Sequence, residues 1–255
     1  MKHLSIALLL LFTGCMSFKT DRISELTDKQ TLPVQAGFYL PYTVYSPKVT
    51  EGEKYPVCIF LHDTDKCGSD NNLQMSEGVN SIIDYVIDSD TPAFVVAPQC
   101  PADHTWCDME LEVALDTLIS VFKSRDDVDP DRIYLTGFGM GGEGTWNFAL
   151  EFPDDVVTIA PVCGGALAMK QTEDPVVPII LMDMNIWAIH YLDDRVRTTD
   201  LSKKILSAVW TQNVALAKYT EFMRGGHTAD IYKDPGFLGW MFATRKATST
   251  EEEDN

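Results

Sequence analysis

The stretch from Arg132 to Trp146, RIYLTGFGMGGEGTW, carries the strongest chemical signal in the chain. A short apolar strand runs into closely spaced glycines and then into a helix. This is the setting in which a nucleophilic side chain is presented on a sharp turn, in the order Gly-x-Ser-x-Gly. The outer glycines here are Gly137 and Gly141, and the residue between them, where the serine would stand, is Gly139. Glycine reaches the φ and ψ of such a turn without a Cβ penalty, but it offers neither oxygen nor sulfur for attack on a carbonyl.

Such residues need a rigid sheet to bring them together. Apolar runs of strand length occur at Tyr42–Tyr45, Val57–Leu61, Phe94–Ala97, Ile133–Leu135, Val157–Pro161 and Val177–Met182. They are apolar throughout, as strands buried on both faces are. Between them Leu111, Ala114, Leu115, Leu118, Ile119 and Phe122 recur at helical spacing, as do Leu201, Ile205, Ala208 and Val209. Asp129-Pro130-Asp131 is expected to end the first helix and lead into the next strand. The alternation predicts an α/β fold, with helices on both faces of a mostly parallel sheet. A length of 255 residues with 45% apolar content suits one domain with a substantial core, and no repeat or composition shift marks a second. With 20 Lys and Arg against 38 Asp and Glu the net charge is −18, so nucleic acid is excluded as a natural partner.

The motifs recur in a recognisable order. Ile59–Asn71 (IFLHDTDKCGSDN), Val95–Pro101 (VVAPQCP) with Trp106, Asp129–Trp146, Ile159–Gly165 (IAPVCGG) and Gly226-His227 resemble the series found in one group of secreted carboxylesterases. These are the phospholipase/carboxylesterase and feruloyl-esterase-like family of the α/β-hydrolase superfamily. The resemblance runs from about Phe38 to Arg245 and implies a single α/β-hydrolase domain. It also implies a serine, a histidine and an acid acting together with backbone oxyanion donors. The serine maps onto Gly139. The acid follows the sixth strand of that family; counted from Pro178 it falls near Trp187, which cannot accept a proton from imidazole. Asp183, Asp193 and Asp194 lie nearby, but several residues out of step. The histidine is retained as His227, in RGGH. The family's oxyanion region falls at Met140, directly after the turn, and at the loop whose His-Gly is replaced by His62-Asp63, where a carboxylate would sit close to the developing charge and oppose it.

With only His227 retained, the expectation is an esterase-like pseudoenzyme, impaired or inactive, that binds a small-molecule or carbohydrate ligand or a partner through the old cleft. Trp106 and Trp187 are the candidate cleft-lining side chains. The alternative is a hydrolase of carbohydrate or feruloyl-type esters, using His227 with activated water or with Thr64 or Cys67 as nucleophile. A purely structural surface protein is the third possibility. No cofactor is implied. His62, Asp63, Asp65 and Asp70 lack a metal-binding spacing, so no metal is expected.

The first residues read as an export signal. Lys2 and His3 precede the apolar Leu4–Phe12, and Thr13-Gly14 are followed by Cys15. A small residue followed at once by cysteine resembles the lipobox of bacterial lipoproteins. It implies a signal peptide over 1–14, a lipid on Cys15 and attachment to a bacterial membrane on its periplasmic or cell-surface side. A polar tether over 15–36, the domain over 37–246 and an acidic tail over 247–255 complete the expected layout. Export admits disulfides. Cys58 and Cys163 sit in apolar runs and read as buried, whereas Cys67, Cys100 and Cys107 lie in polar loops, where a bridge between two of them would pin the loops together. The sequence does not choose the pair.

Overall fold

The computed structural model describes residues 22–34, 37–165, 177–211 and 215–246. The expected signal peptide, Cys15 and the acidic tail lie outside the described residues.

Eight strands form one sheet in the order β1-β2-β4-β3-β5-β6-β7-β8. Their ranges are β1 Thr27–Pro33, β2 Tyr39–Tyr45, β3 Tyr55–Leu61, β4 Phe94–Pro98, β5 Val128–Phe138, β6 Thr158–Val162, β7 Asn185–Tyr191 and β8 Ala217–Phe222. β1 and β2 are antiparallel to their neighbours, and the strands from β4 to β8 run parallel. Every residue of β3, β4 and β6 is buried, because helices cover both faces. The period-2 alternation of side chains then splits one strand between two cores. Val57, Ile59 and Leu61 of β3 pack with Leu111, Leu115 and Leu118 of α2 (Met109–Lys123) and with Ile205 of α4 (Asp200–Val209). Cys58 and Phe60 pack on the other face with Val79, Ile82 and Ile83 of α1 (Glu77–Asp88) and Phe237 and Met241 of α5 (Pro235–Ala243). α3 (Met140–Glu151) follows β5 directly and is buried along almost its whole length.

Three expectations are corrected. The segment expected as a tether contributes β1: Thr27–Pro33 pairs with Tyr39–Tyr45, and its one buried residue, Leu32, joins the core. A polar edge strand with a single inward apolar residue carries little periodicity. Asp129-Pro130-Asp131 lies within β5, well past the end of α2 at Lys123, where the pairing with β3 shifts register between Tyr55 and Val57. Proline is tolerated at such an irregularity because the ladder bond it lacks is not required there. Val177–Met182 is not a strand: Val177–Ile180 forms one helical turn, and the strand is Asn185–Tyr191. Pro178, in the middle of the apolar run, is the signal against a central strand.

Candidate functional site

β3, β5, β7 and β8 all point their carboxyl ends at one place, where ligand sites of parallel sheets form. β5 ends at Phe138 and α3 starts at Met140; between them Gly139 has φ +60° and ψ −116°, a conformation an L side chain rarely adopts. Its N–H donates to the Val162 carbonyl at 3.0 Å. The turn is tight because Gly141 lets α3 press on β3: a Cβ there would overlap the Leu61 carbonyl. The elbow is therefore fully built, without a nucleophile on it.

The space a nucleophile would occupy is filled by another residue. A Cβ on Gly139 would lie 2.8 Å from Asp63 Oδ2 and would overlap its Oδ1 and Cγ. Asp63 follows β3, and the short turn Thr64–Lys66 behind it turns its carboxylate toward the elbow. Asp63 Oδ1 accepts the Met140 N–H at 2.7 Å, the donor expected to serve an oxyanion. Asp63 Oδ2 accepts from His227 Nε2 at 3.0 Å, the nitrogen expected to face a serine. Asp63 Oδ1 thus takes up the donor that an oxyanion would be expected to use.

On the other side of the ring, His227 Nδ1 donates to Asp194 Oδ2 at 2.8 Å. Asp194 is held by the N–H groups of Val196 and Arg197 on its Oδ1, at 2.8 and 3.0 Å. Neighbouring Asp193 accepts the Gly226 N–H at 2.7 Å and steadies the turn that carries His227. The acid position is thus Asp194, just after β7, and not Trp187. The misplacement followed from taking Val177–Met182 as the strand to count from. The usable signal was NIWAIHY, rich in β-branched and aromatic residues and followed at once by Leu192-Asp193-Asp194.

Each nitrogen of His227 faces a carboxylate oxygen, an arrangement that favours a hydrogen on both nitrogens, the imidazolium form. Burial favours the neutral ring, but the hydrogen bonds to Asp63 and Asp194 outweigh it and raise the His227 pKa. Burial likewise opposes ionisation of Asp63 and Asp194. For Asp63 the bonds from His227, Met140 and Thr64 prevail, and for Asp194 those from Arg197, His227 and Val196; both carboxyls are held below their usual range. A protonated His227 has no lone pair with which to take a proton.

Two further charged groups were not singled out in the sequence. Arg197, after β7, brings its guanidinium to 3.6 Å from Asp63 Oδ1 and 3.4 Å from Glu143 Oε1. Glu143, in the first turn of α3, is buried, and burial pushes its pKa up to about 7 against the pull of Arg197. The Phe138 ring lies 4.6 Å from the His227 ring, centroid to centroid.

The remaining sequence candidates are placed elsewhere. Trp106 is fully buried, with its indole N–H donated to the His62 carbonyl at 3.0 Å, so it belongs to the core and not to a cleft. Trp187, on β7, packs edge-on against Phe237 and Trp240 of α5 and donates to Thr220 Oγ1. His62 donates from Nδ1 to the Asp63 carbonyl and accepts the Cys100 N–H at Nε2; burial lowers its pKa to about 4, so it is neutral. Asp65 pairs with Lys66, and Asp70 accepts the N–H groups of Asn72 and Leu73. Thr64 and Cys67 do not reach His227, whose two nitrogens are occupied as described. Cys163, Asp194 and His227 offer atoms within 4.8 Å of one another, with the thiol donating to the Thr228 carbonyl.

No family model matches the chain. An uncharacterized secreted protein of Arthroderma benhamiae is 29% identical over 117 residues, covering 44% of this chain and 12% of that protein. Among solved structures, a thermostable esterase superposes with a TM-score of 0.76 at 28% identity, covering 86% of this chain and 63% of the esterase. A ferulic acid esterase gives 0.66 at 17% identity, covering 84% and 98%. The feruloyl esterase module from Clostridium thermocellum complexed with sinapinate gives 0.64 at 16%, covering 82% and 86%. The chain thus spans less than two thirds of the thermostable esterase and about an eighth of the secreted protein. Shared sheet architecture and the likeness to an esterase at 28% identity agree with the motif order, and the chain belongs to the α/β-hydrolase superfamily.

Proposed function

We propose that this protein is a catalytically silent esterase, exported and lipid-anchored through Cys15, that works by binding and not by turnover. The observation that carries the reading is the Asp63 carboxylate. It takes the place of the nucleophile, accepts the oxyanion donor Met140 N–H and keeps His227 protonated. Ester hydrolysis at an elbow needs the opposite arrangement, with a neutral Nε2 facing a hydroxyl and an empty oxyanion site. Water cannot replace the serine while Asp63 stays, because His227 has no free lone pair to activate it. Export draws support from the secreted relative and from the Lys2–Cys15 pattern. The ligand class suggested by the neighbours is an aromatic carboxylic acid or its ester, of the kind represented by sinapinate in the C. thermocellum module.

The full chain, purified in detergent, should be assayed against short-chain and feruloyl 4-nitrophenyl esters beside His227→Ala. The expected result is the same background rate for both proteins. Turnover by the parent that disappears in His227→Ala overturns the proposal.

A further inference from the structure

The turn that brings Asp63 to the elbow is fastened at its far end to the end of β4. The Gly68 N–H donates to the Cys100 carbonyl at 2.9 Å, and Gln99 Nε2 donates to the Lys66 carbonyl at 3.2 Å. Cys67 stands between Lys66 and Gly68, so both of its neighbours are bonded to the Gln99-Cys100 pair. Cys100 is itself fixed by its N–H on His62 Nε2 at 3.0 Å. Cys67 is partly buried against the same core cluster that contains Cys100, and the two thiols lie close enough to shift each other's pKa, while Cys100 Sγ donates to the Pro101 carbonyl at 3.6 Å. The other cysteines are differently placed. Cys58 is buried in β3, and Cys163 donates to the Thr228 carbonyl. Cys107 feels Glu143, Glu112 and Asp108, with burial the main cause of its raised pKa; it acts on Cys100 electrostatically, more weakly than Cys67 does.

We infer that Cys67 and Cys100 are a disulfide pair whose bond fastens the turn carrying Asp63. A disulfide needs adjacent, suitably directed Cβ atoms on backbones that are already held. The two segments laced on either side of Cys67 hold it beside Cys100 on backbones that are already fixed. The more exposed Cys67 thiolate attacks the sulfur of an exogenous disulfide oxidant, expelling one thiolate. Cys100 then attacks Cys67 Sγ in the mixed disulfide and expels the second. Two protein thiols lose two protons and two electrons, and the oxidant leaves as two thiols. Burial raises the pKa of both cysteines, Cys67 less than Cys100, which slows the exchange without preventing it.

The bond matters because the turn is short and stiff. The Lys66 N–H donates to the Asp63 carbonyl at 3.0 Å and the Cys67 N–H to the Thr64 carbonyl at 3.2 Å, so holding Cys67 holds Asp63. This second half of the inference rests on the reading of Asp63 as the group that closes the site; bond formation does not.

The test is to treat the full chain with glutathione disulfide, alkylate the remaining thiols and map the peptides without reduction. A Cys67–Cys100 linkage is expected, with a rise in Tm of roughly 5–10 °C. Both should be lost in Cys67→Ser and kept in Cys107→Ser. A linkage through Cys107 instead, or Cys67 and Cys100 both still alkylated at the end, overturns the pairing. Amide exchange separates the two halves: in the oxidised protein it should slow at least tenfold at Lys66, Cys67 and Met140. Slowing at Lys66 and Cys67 alone, with Met140 unchanged, keeps the bond and overturns the role given to Asp63.

Discussion

Gly139→Ser restores the missing nucleophile on paper, yet the structure requires it to be destructive unless Asp63 is changed as well. The new Cβ would lie 2.8 Å from Asp63 Oδ2 and closer still to Oδ1 and Cγ, where unstrained carbon contacts are about 3.5–4.0 Å. The carboxylate must leave. It then gives up its bonds to His227 and Met140, which involve charged groups in a site where Asp63 and His227 side chains are only 16% and 13% exposed. Such bonds contribute about 1.5–3 kcal/mol each. A non-glycine residue at φ +60° and ψ −116° costs about 1–3 kcal/mol more. The single variant should therefore lose about 4–9 kcal/mol, against a total stability of about 5–15 kcal/mol. Asp63→Gly alone loses the same two bonds, together with the weaker contacts to Thr64 and Arg197 that a displaced carboxylate also gives up. In the double variant those bonds are lost only once and the serine hydroxyl gains His227 as a partner. The two changes should thus be coupled favourably by about 3–6 kcal/mol. Urea unfolding of the parent, both singles and the double closes the cycle, and only the double should gain His227-dependent turnover of 4-nitrophenyl acetate. Effects that add to within about 0.5 kcal/mol would refute the claim that Asp63 occupies the nucleophile's place.

Two predictions concern charge. His227 should titrate above its ordinary value in an NMR pH series, and Asp63→Asn should move it down, since one of the two carboxylates that raise it is removed. Its contribution to stability is complete below the unfolded pKa of about 6.5 and disappears as pH rises through the folded value. The contributions of Asp63 and Asp194 run the other way. They are complete above the unfolded carboxyl pKa of about 3.9 and are lost as pH falls through the depressed folded values. Glu143 is the opposing acid. With its pKa raised from 4.5 to about 7, stability is retained below 4.5 and falls as pH rises through 7, by up to about 3 kcal/mol. Glu143→Gln should flatten that slope and stabilise the protein at pH 8; urea midpoints at pH 4.5 and 8 that shift as the parent's do would contradict it.

The central strands were legible because burial on both faces leaves an unmistakable mark: YPVCIFL and FVVAP can be little else. The edges were not. β1 reads TDKQTLP and β8 reads AKYTEF, polar strands whose positions are set by the neighbours they bond to and not by a pattern of their own. β7 falls between these cases. NIWAIHY is buried over most of its length, but it opens on an asparagine and contains a histidine, and a more uniformly apolar run lies just upstream. That run holds Pro178 and forms only a helical turn. One strand assigned eight residues early displaced the acid from Asp194 to Trp187.

The chemistry of the site was legible by residue type but not by direction. Gly139 and His227 follow from the motifs, and Asp63 from its replacement of a glycine. A side chain's direction is a property of the turn that bears it, and Thr64–Lys66 rotates this one inward across the elbow. Absence of a Cβ at Gly139 and presence of a carboxylate at Asp63 are then linked, since the carboxylate occupies the space that a side chain at 139 would need. The favourable change from a neutral base facing a hydroxyl to an imidazolium facing a carboxylate follows from that exchange alone. Asp194, Asp193 and the backbone around them need no alteration, because the same acid that orients a neutral histidine also stabilises a charged one. On the proposed reading, such a site keeps its architecture while the proton that catalysis would move becomes a fixed part of the fold.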